Sequence, residues 1–181
     1  MRTQVAFPIF GSESMSSLAG KLNAFLQSLN PFVRETIAIG NPWTRYTPVW
    51  ASTGTQPAIG NGLLAGAWTR AGRLVHVQIR MDCGSTTTFG TGAYSWSLPF
   101  PIVSGFGVGS TIVLGVGGIG DASGPDGYVA RATSQNDGGG SVCFLYVNGV
   151  GNTGLVGQAY PFTWANGDKM HAGLTYMCVE P

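Results

Sequence analysis

Residues 62–99 read GLLAGAWTRAGRLVHVQIRMDCGSTTTFGTGAYSWSLP, and this stretch decides the fold. Leu74, Val75, Val77, Ile79 and Met81 are interleaved with Arg73, His76, Gln78, Arg80 and Asp82. Successive side chains of a strand point to opposite faces, so this alternation predicts a half-buried β-strand. The preceding run from Leu63 to Arg70 predicts another, and Ala71-Gly72 between them predicts a tight hairpin. A third strand is expected from Ala93 to Leu98, ended by Pro99, which has no N–H for a ladder. The expectation is a three-strand meander at the nucleus of an antiparallel β domain.

Outward from that nucleus, turn signals recur at short intervals. Short apolar runs are expected as strands at Tyr46–Trp50, Thr111–Val116, Tyr128–Thr133, Ser141–Val147, Pro161–Trp164 and His171–Val179. They are separated by Gly/Asn/Asp-rich segments, with 117–127 and 148–157 expected as loops. About eight or nine short strands without interleaved helices predict an all-β fold, an antiparallel β-sandwich of jelly-roll-like form.

The N-terminal segment differs. Val5, Phe7, Ile9 and Phe10 form a short apolar arm closed by Gly11, and an arm this apolar is expected to lie on a partner or on the body. Ser12-Glu13-Ser14 offers a helix N-cap, and Met15, Leu18, Leu22, Phe25 and Leu29 then recur at intervals of three and four. One amphipathic helix is predicted over residues 12–29, ended by Asn30-Pro31. Its stripe has the spacing of a seam between helices but lasts two heptads. Packing on the chain's own β domain and packing between subunits both remain open. The organisation expected is a docking arm and helix over residues 1–40 and a β-sandwich domain over 41–181, with the boundary near Gly40-Asn41-Pro42.

Composition narrows the functional classes. Charged residues make up 9% of the 181 positions and the net charge is +1, so no basic stripe is expected and nucleic acid is not an expected partner. So sparse a charge suits a protein largely covered by other subunits, and a homo-oligomer, a trimer, is expected. The three cysteines, Cys83, Cys143 and Cys178, have no paired spacing and read as core thiols. No signal-peptide pattern opens the sequence and no apolar run approaches ~20 residues, so neither export nor a membrane span is expected.

Few residue patterns carry chemistry. Gly115-Val-Gly117-Gly118-Ile-Gly120 matches a dinucleotide fingerprint, but Asp121-Ala-Ser-Gly-Pro125 follows and cannot open the required helix. It is read as a strand-end loop. Asp121, Ser123 and Asp126 are too few oxygens for Ca²⁺ and read as turn residues. His76 and His171 stand in no nucleophile motif and read as surface or interface histidines. No catalytic residue, metal ligand or cofactor site is expected. Trp43, Tyr46, Trp50, Trp68, Tyr94, Trp96 and Trp164 remain, assigned mostly to the core, with a sugar-stacking or subunit-contact surface as the alternative.

The phrases Gly84-Ser-Thr-Thr-Thr-Phe-Gly-Thr-Gly92, Trp96-Ser-Leu-Pro99, Thr47-Pro-Val-Trp50 and Pro161-Phe-Thr-Trp-Ala-Asn-Gly-Asp168 carry a resemblance. Over residues 44–179 the sequence resembles the β-sandwich of virion surface proteins of tailed bacteriophages infecting actinobacteria, in minor tail, fibre-tip and decoration-type proteins. The resemblance implies an oligomeric, non-enzymatic virion protein, made in the host cytoplasm, and supplies no catalytic residues. A capsid decoration protein docked on the major capsid protein by Val5–Phe10 and the helix is expected. The alternative is a tail fibre-tip or minor tail protein that binds host cell-surface glycan.

Overall fold

The computed structural model describes residues 17, 20–28, 43–105, 111–124, 127–135, 140–149 and 152–179. The chain divides into two units, Met1–Asn41 and Pro42–Pro181. In the first, Ser17 and residues 20–28 are helical, within the predicted span. Leu22 and Phe25 of the predicted stripe lie on this helix and, with Leu26, are exposed by 58%, 38% and 54%. Val5, Phe7, Ile9, Phe10, Met15, Leu18 and Leu29 fall outside the described residues.

The second unit is antiparallel β throughout its described strands. These are β1 (Thr44–Tyr46), β2 (Trp50–Ser52), β3 (Leu63–Ala71), β4 (Leu74–Asp82), β5 (Tyr94–Ser97), β6 (Thr111–Gly120), β7 (Gly127–Gln135), β8 (Val142–Gly149), β9 (Asn152–Leu155) and β10 (Lys169–Met177). They pair in the order β1-β3-β4-β10-β6-β7-β8-β5-β2, with β9 also on β8. The layers of the predicted sandwich are therefore parts of one curled sheet. Its two end strands, β1 and β2, are consecutive in the chain and joined by Thr47-Pro48-Val49. At that corner Ser97 of β5 ties the ends together. Its N–H donates to Val49 O at 2.9 Å, its Oγ accepts from Val49 N at 2.8 Å, and its carbonyl accepts from Tyr46 Oη at 3.4 Å.

Alternation decides what the curl encloses. In β4, Val75, Val77, Ile79 and Met81 are at most 2% exposed, and in β10 Met170, Ala172, Leu174 and Tyr176 point the same way. At ~1.5–3 kcal/mol for each fully buried large apolar side chain, these two central strands contribute a large share of the hydrophobic stabilisation of the sheet. Tyr94 sits between Trp50, Trp96 and Trp164 in edge-to-face contacts with centroids 5.1, 6.3 and 6.2 Å away, a geometry favoured by the aromatic quadrupole. Trp50, Tyr94, Trp96 and Trp164 are thus core, Tyr46 and Trp68 pack partly buried against it, and Trp43 stays 45% exposed. All three cysteines are free and buried.

Four sequence expectations are corrected. The β3–β4 hairpin forms, with Gly72 at φ 59° in its turn, but β5 does not complete a meander. The neighbour of β4 is β10, while β5 pairs with β2 and β8. The cause is the loop 84–92, which is laced to residues 53–61 and carried away from β4. Ala58 and Thr88 exchange two backbone bonds of 2.8 Å, and Thr91 N donates to Thr55 O at 3.0 Å. Asn61 Oδ1 accepts from Thr86 N at 2.9 Å, and Thr86 Oγ1 accepts from Asn61 N at 2.9 Å. The phrase GSTTTFGTG is therefore a structural clasp, its hydroxyls serving as backbone partners.

Second, Gly115 to Gly120 is not a loop but the C-terminal part of β6. Glycine is poor in strands on propensity, yet here close approach to β10 requires it. A Cβ at Gly115 would collide with Gly173 O, and one at Gly118 with the His171 ring. Third, β9 lies inside the expected loop 148–157, whereas Pro161–Trp164 is irregular. Fourth, the single strand expected at Tyr46–Trp50 is the corner between β1 and β2.

Candidate binding face

The side of the sheet opposite the core is where polar side chains gather. Ladder register sets their positions in rows that cross the strands. One row runs Arg45, Ala67, Gln78, Gly173, Val116, Arg131, Tyr146, Leu155. The next runs Ala65, Arg80, His171, Gly118, Val129. A third runs Leu63, Asp82, Lys169, Gly120, Gly127. The sequence puts polar residues on alternate positions of β4 and β10, and pairing these strands side by side merges the two polar edges into one surface.

Small residues in these rows make the surface concave. Ala65, Ala67 and Gly66 floor a groove of about 510 Å³ walled by Trp43, Arg45, Gln78, Arg80 and His171. On the far side of His171 a second groove of about 430 Å³ runs over Gly118, Gly120 and Gly127 to Val129 and Lys169. His171 borders both.

Local contacts fix the groove walls. Trp43 meets the His76 ring at 5.3 Å with planes inclined by 65°. His76 Nδ1 lies 2.7 Å from Thr175 Oγ1 on the neighbouring strand, and its Nε2 lies 3.4 Å from Gln78 Nε2. Arg80 Nε donates to Asp82 Oδ1 at 3.1 Å while its Nη2 donates to Oδ2, a two-pronged pair that holds the guanidinium along the strand. Arg131 lies over the Tyr146 ring, 5.1 Å from its centroid. The alternation in β4 made the polar edge legible in the sequence, but not that β10 would lie beside it.

The other two acids among the described residues, Asp168 and Asp121, do structural work. Asp168 is 1% exposed, and its Oδ1 and Oδ2 accept from Ala122 N at 2.8 Å and Ala165 N at 2.6 Å, joining two loops. Asp121 Oδ1 accepts from Ser123 N and Oγ at 2.8 and 2.6 Å, which holds this carboxyl below its ordinary value. That is a turn, as its sequence suggests. Asp126 lies outside the described residues. Among the described residues no group of three or more His, Cys, Asp or Glu stands close enough to hold a metal ion, and no helix is long and apolar enough to cross a membrane. Burial pushes the Cys83 and Cys143 thiols up to about 12, so neither is an activated nucleophile at neutral pH.

Comparison of the chain with protein families, with curated proteins and with solved structures gives no match.

Proposed function

We propose that the chain is a non-enzymatic structural protein on the surface of a tailed bacteriophage virion. Its N-terminal arm and helix dock it, most simply as a trimeric decoration protein on the major capsid protein, and its β domain is displayed outward. The observation that carries this reading is the helix over residues 20–28. Leu22, Phe25 and Leu26 form one stripe at helical spacing and are exposed in the single chain. Each would contribute ~1.5–3 kcal/mol if fully buried, and a stripe of this kind is stabilised by a covering partner. The resemblance of residues 44–179 supplies the virion context.

The test is the mass in solution of the full chain and of a variant carrying Leu22→Glu, Phe25→Glu and Leu26→Glu. Light scattering at micromolar concentration is expected to give a trimer for the first and a monomer with an unchanged β-sheet spectrum for the second. Equal masses would remove the helix from the assembly.

A second reading is favoured by one specific feature. Trp43 is exposed at the mouth of a groove lined by amide, guanidinium and imidazole groups, the kit with which proteins hold sugars. In that reading the protein sits at the tail and the groove meets cell-surface glycan.

A further inference from the structure

We infer that the outer face of the sheet is a binding site for a linear anionic polysaccharide, laid across the strands from Trp43 through His171 to Lys169. The inference rests on the glycan-binding reading and adds the charge class of the ligand, its path and the groups that hold it.

Charge distribution is the first ground. The ten strands contain five cations, Arg45, Arg70, Arg80, Arg131 and Lys169, and one acid, Asp82. Arg70 lies over Phe100. The other four cations belong to the three rows of the outer face, as does His171. Four cations against one carboxylate concentrate positive charge on one face of a chain whose net charge is only +1. A face with this excess complements an anionic polymer and discriminates against a neutral one.

Shape is the second. Arg45, Arg80 and Lys169 descend one row each, on β1, β4 and β10. With strands ~4.8 Å apart and ~6.7 Å between every second residue, their backbones stand about 12 and then about 8 Å apart. That is a diagonal stair of cations whose middle step, Arg80, is held by Asp82, so the charge offered to an acidic polymer comes chiefly from Arg45 and Lys169 at its two ends. Along the stair the floor of the first groove is Ala65 and Ala67, small enough for a ring to approach closely, while the side chains of Gln78 and His171 cover Gly173 and Gly118. Trp43, braced against His76, offers the apolar surface on which a sugar ring stacks. A polyanion without sugar rings would use the stair but not the indole.

The experiment titrates the full-length protein with polygalacturonate, neutral dextran and poly-glutamate by calorimetry at two salt concentrations. Polygalacturonate is expected to bind, and more weakly at higher salt. Trp43→Ala, and separately Arg45→Gln with Lys169→Gln, are each expected to weaken it by about tenfold or more. Val113→Ser, exposed on β6 away from this groove, should leave it unchanged. Unchanged melting temperatures show that the exposed-site variants fold. Dextran binding as tightly as polygalacturonate, with no loss in the Arg45/Lys169 variant, would overturn the anionic assignment and keep the glycan reading. Poly-glutamate binding equally well, with Trp43→Ala inert, would overturn the sugar. No binding of either polysaccharide would overturn both.

Discussion

The imidazole of His171 lies over Gly118 on the neighbouring strand, so close that a methyl group at position 118 would overlap its Cε1. The glycine and the histidine are thus one arrangement, which sets the ridge between the two grooves. Gly118→Ala should swing the ring away at a stability change within about 0.5 kcal/mol, because the obstructing atom is a side-chain tip on the exposed face. Gly115→Ala meets the carbonyl of Gly173 instead, and backbone cannot step aside. That variant should lose about 2 kcal/mol or more. Urea melts of the pair check the contrast.

Asp168→Asn tests the junction of the two loops. The carboxylate offers one oxygen to Ala122 N and the other to Ala165 N, whereas an amide has one oxygen and turns its NH₂ toward the second donor. A loss of about 1–3 kcal/mol is expected, since a buried N–H is left unpaired. Chemical denaturation of the variant measures it.

Alkaline pH should destabilise the fold. Burial raises the Cys83 and Cys143 thiols to about 12 and also raises the hydroxyls of Tyr46, Tyr94 and Tyr176. For such groups the folded chain keeps protons that the unfolded chain releases. Stability is then fully present below the ordinary thiol value of 9.0 and falls as pH rises from there toward 12. Melting temperatures measured from pH 7 to 11 should be level at first and drop above pH 9. A flat profile to pH 11 would contradict the burial of these groups.

The sequence reading succeeded where a residue's local period agrees with its burial. Val75, Val77, Ile79 and Met81 alternate with polar neighbours, and Gly72 breaks the run where the hairpin turns, so β3 and β4 were legible. The all-β class with one helix followed from the same signal repeated along the chain. Long-range pairing was not legible. Nothing in Ala93–Leu98 announces that it pairs with Val142 and Cys143 rather than with β4, because the hydroxyls of Thr86 and Thr91 that divert the chain also suit an ordinary loop. The glycines of β6 misled for a related reason. Their purpose is set by His171 and Gly173, more than fifty residues away. Of the candidate site, the polar edge of β4 was visible, while the groove depends on β10 arriving beside it.

The proposed function makes this chain a displayed component of a phage particle. Gold-labelled antibody against the β domain, applied to intact particles of the phage that encodes the chain and viewed by electron microscopy, tests it most directly. The account predicts label at regular positions on the particle surface, on the head for a decoration protein or at the tail tip for a receptor-binding one. Intact particles that carry no label, with the protein recovered only in the particle-free fraction, would contradict it.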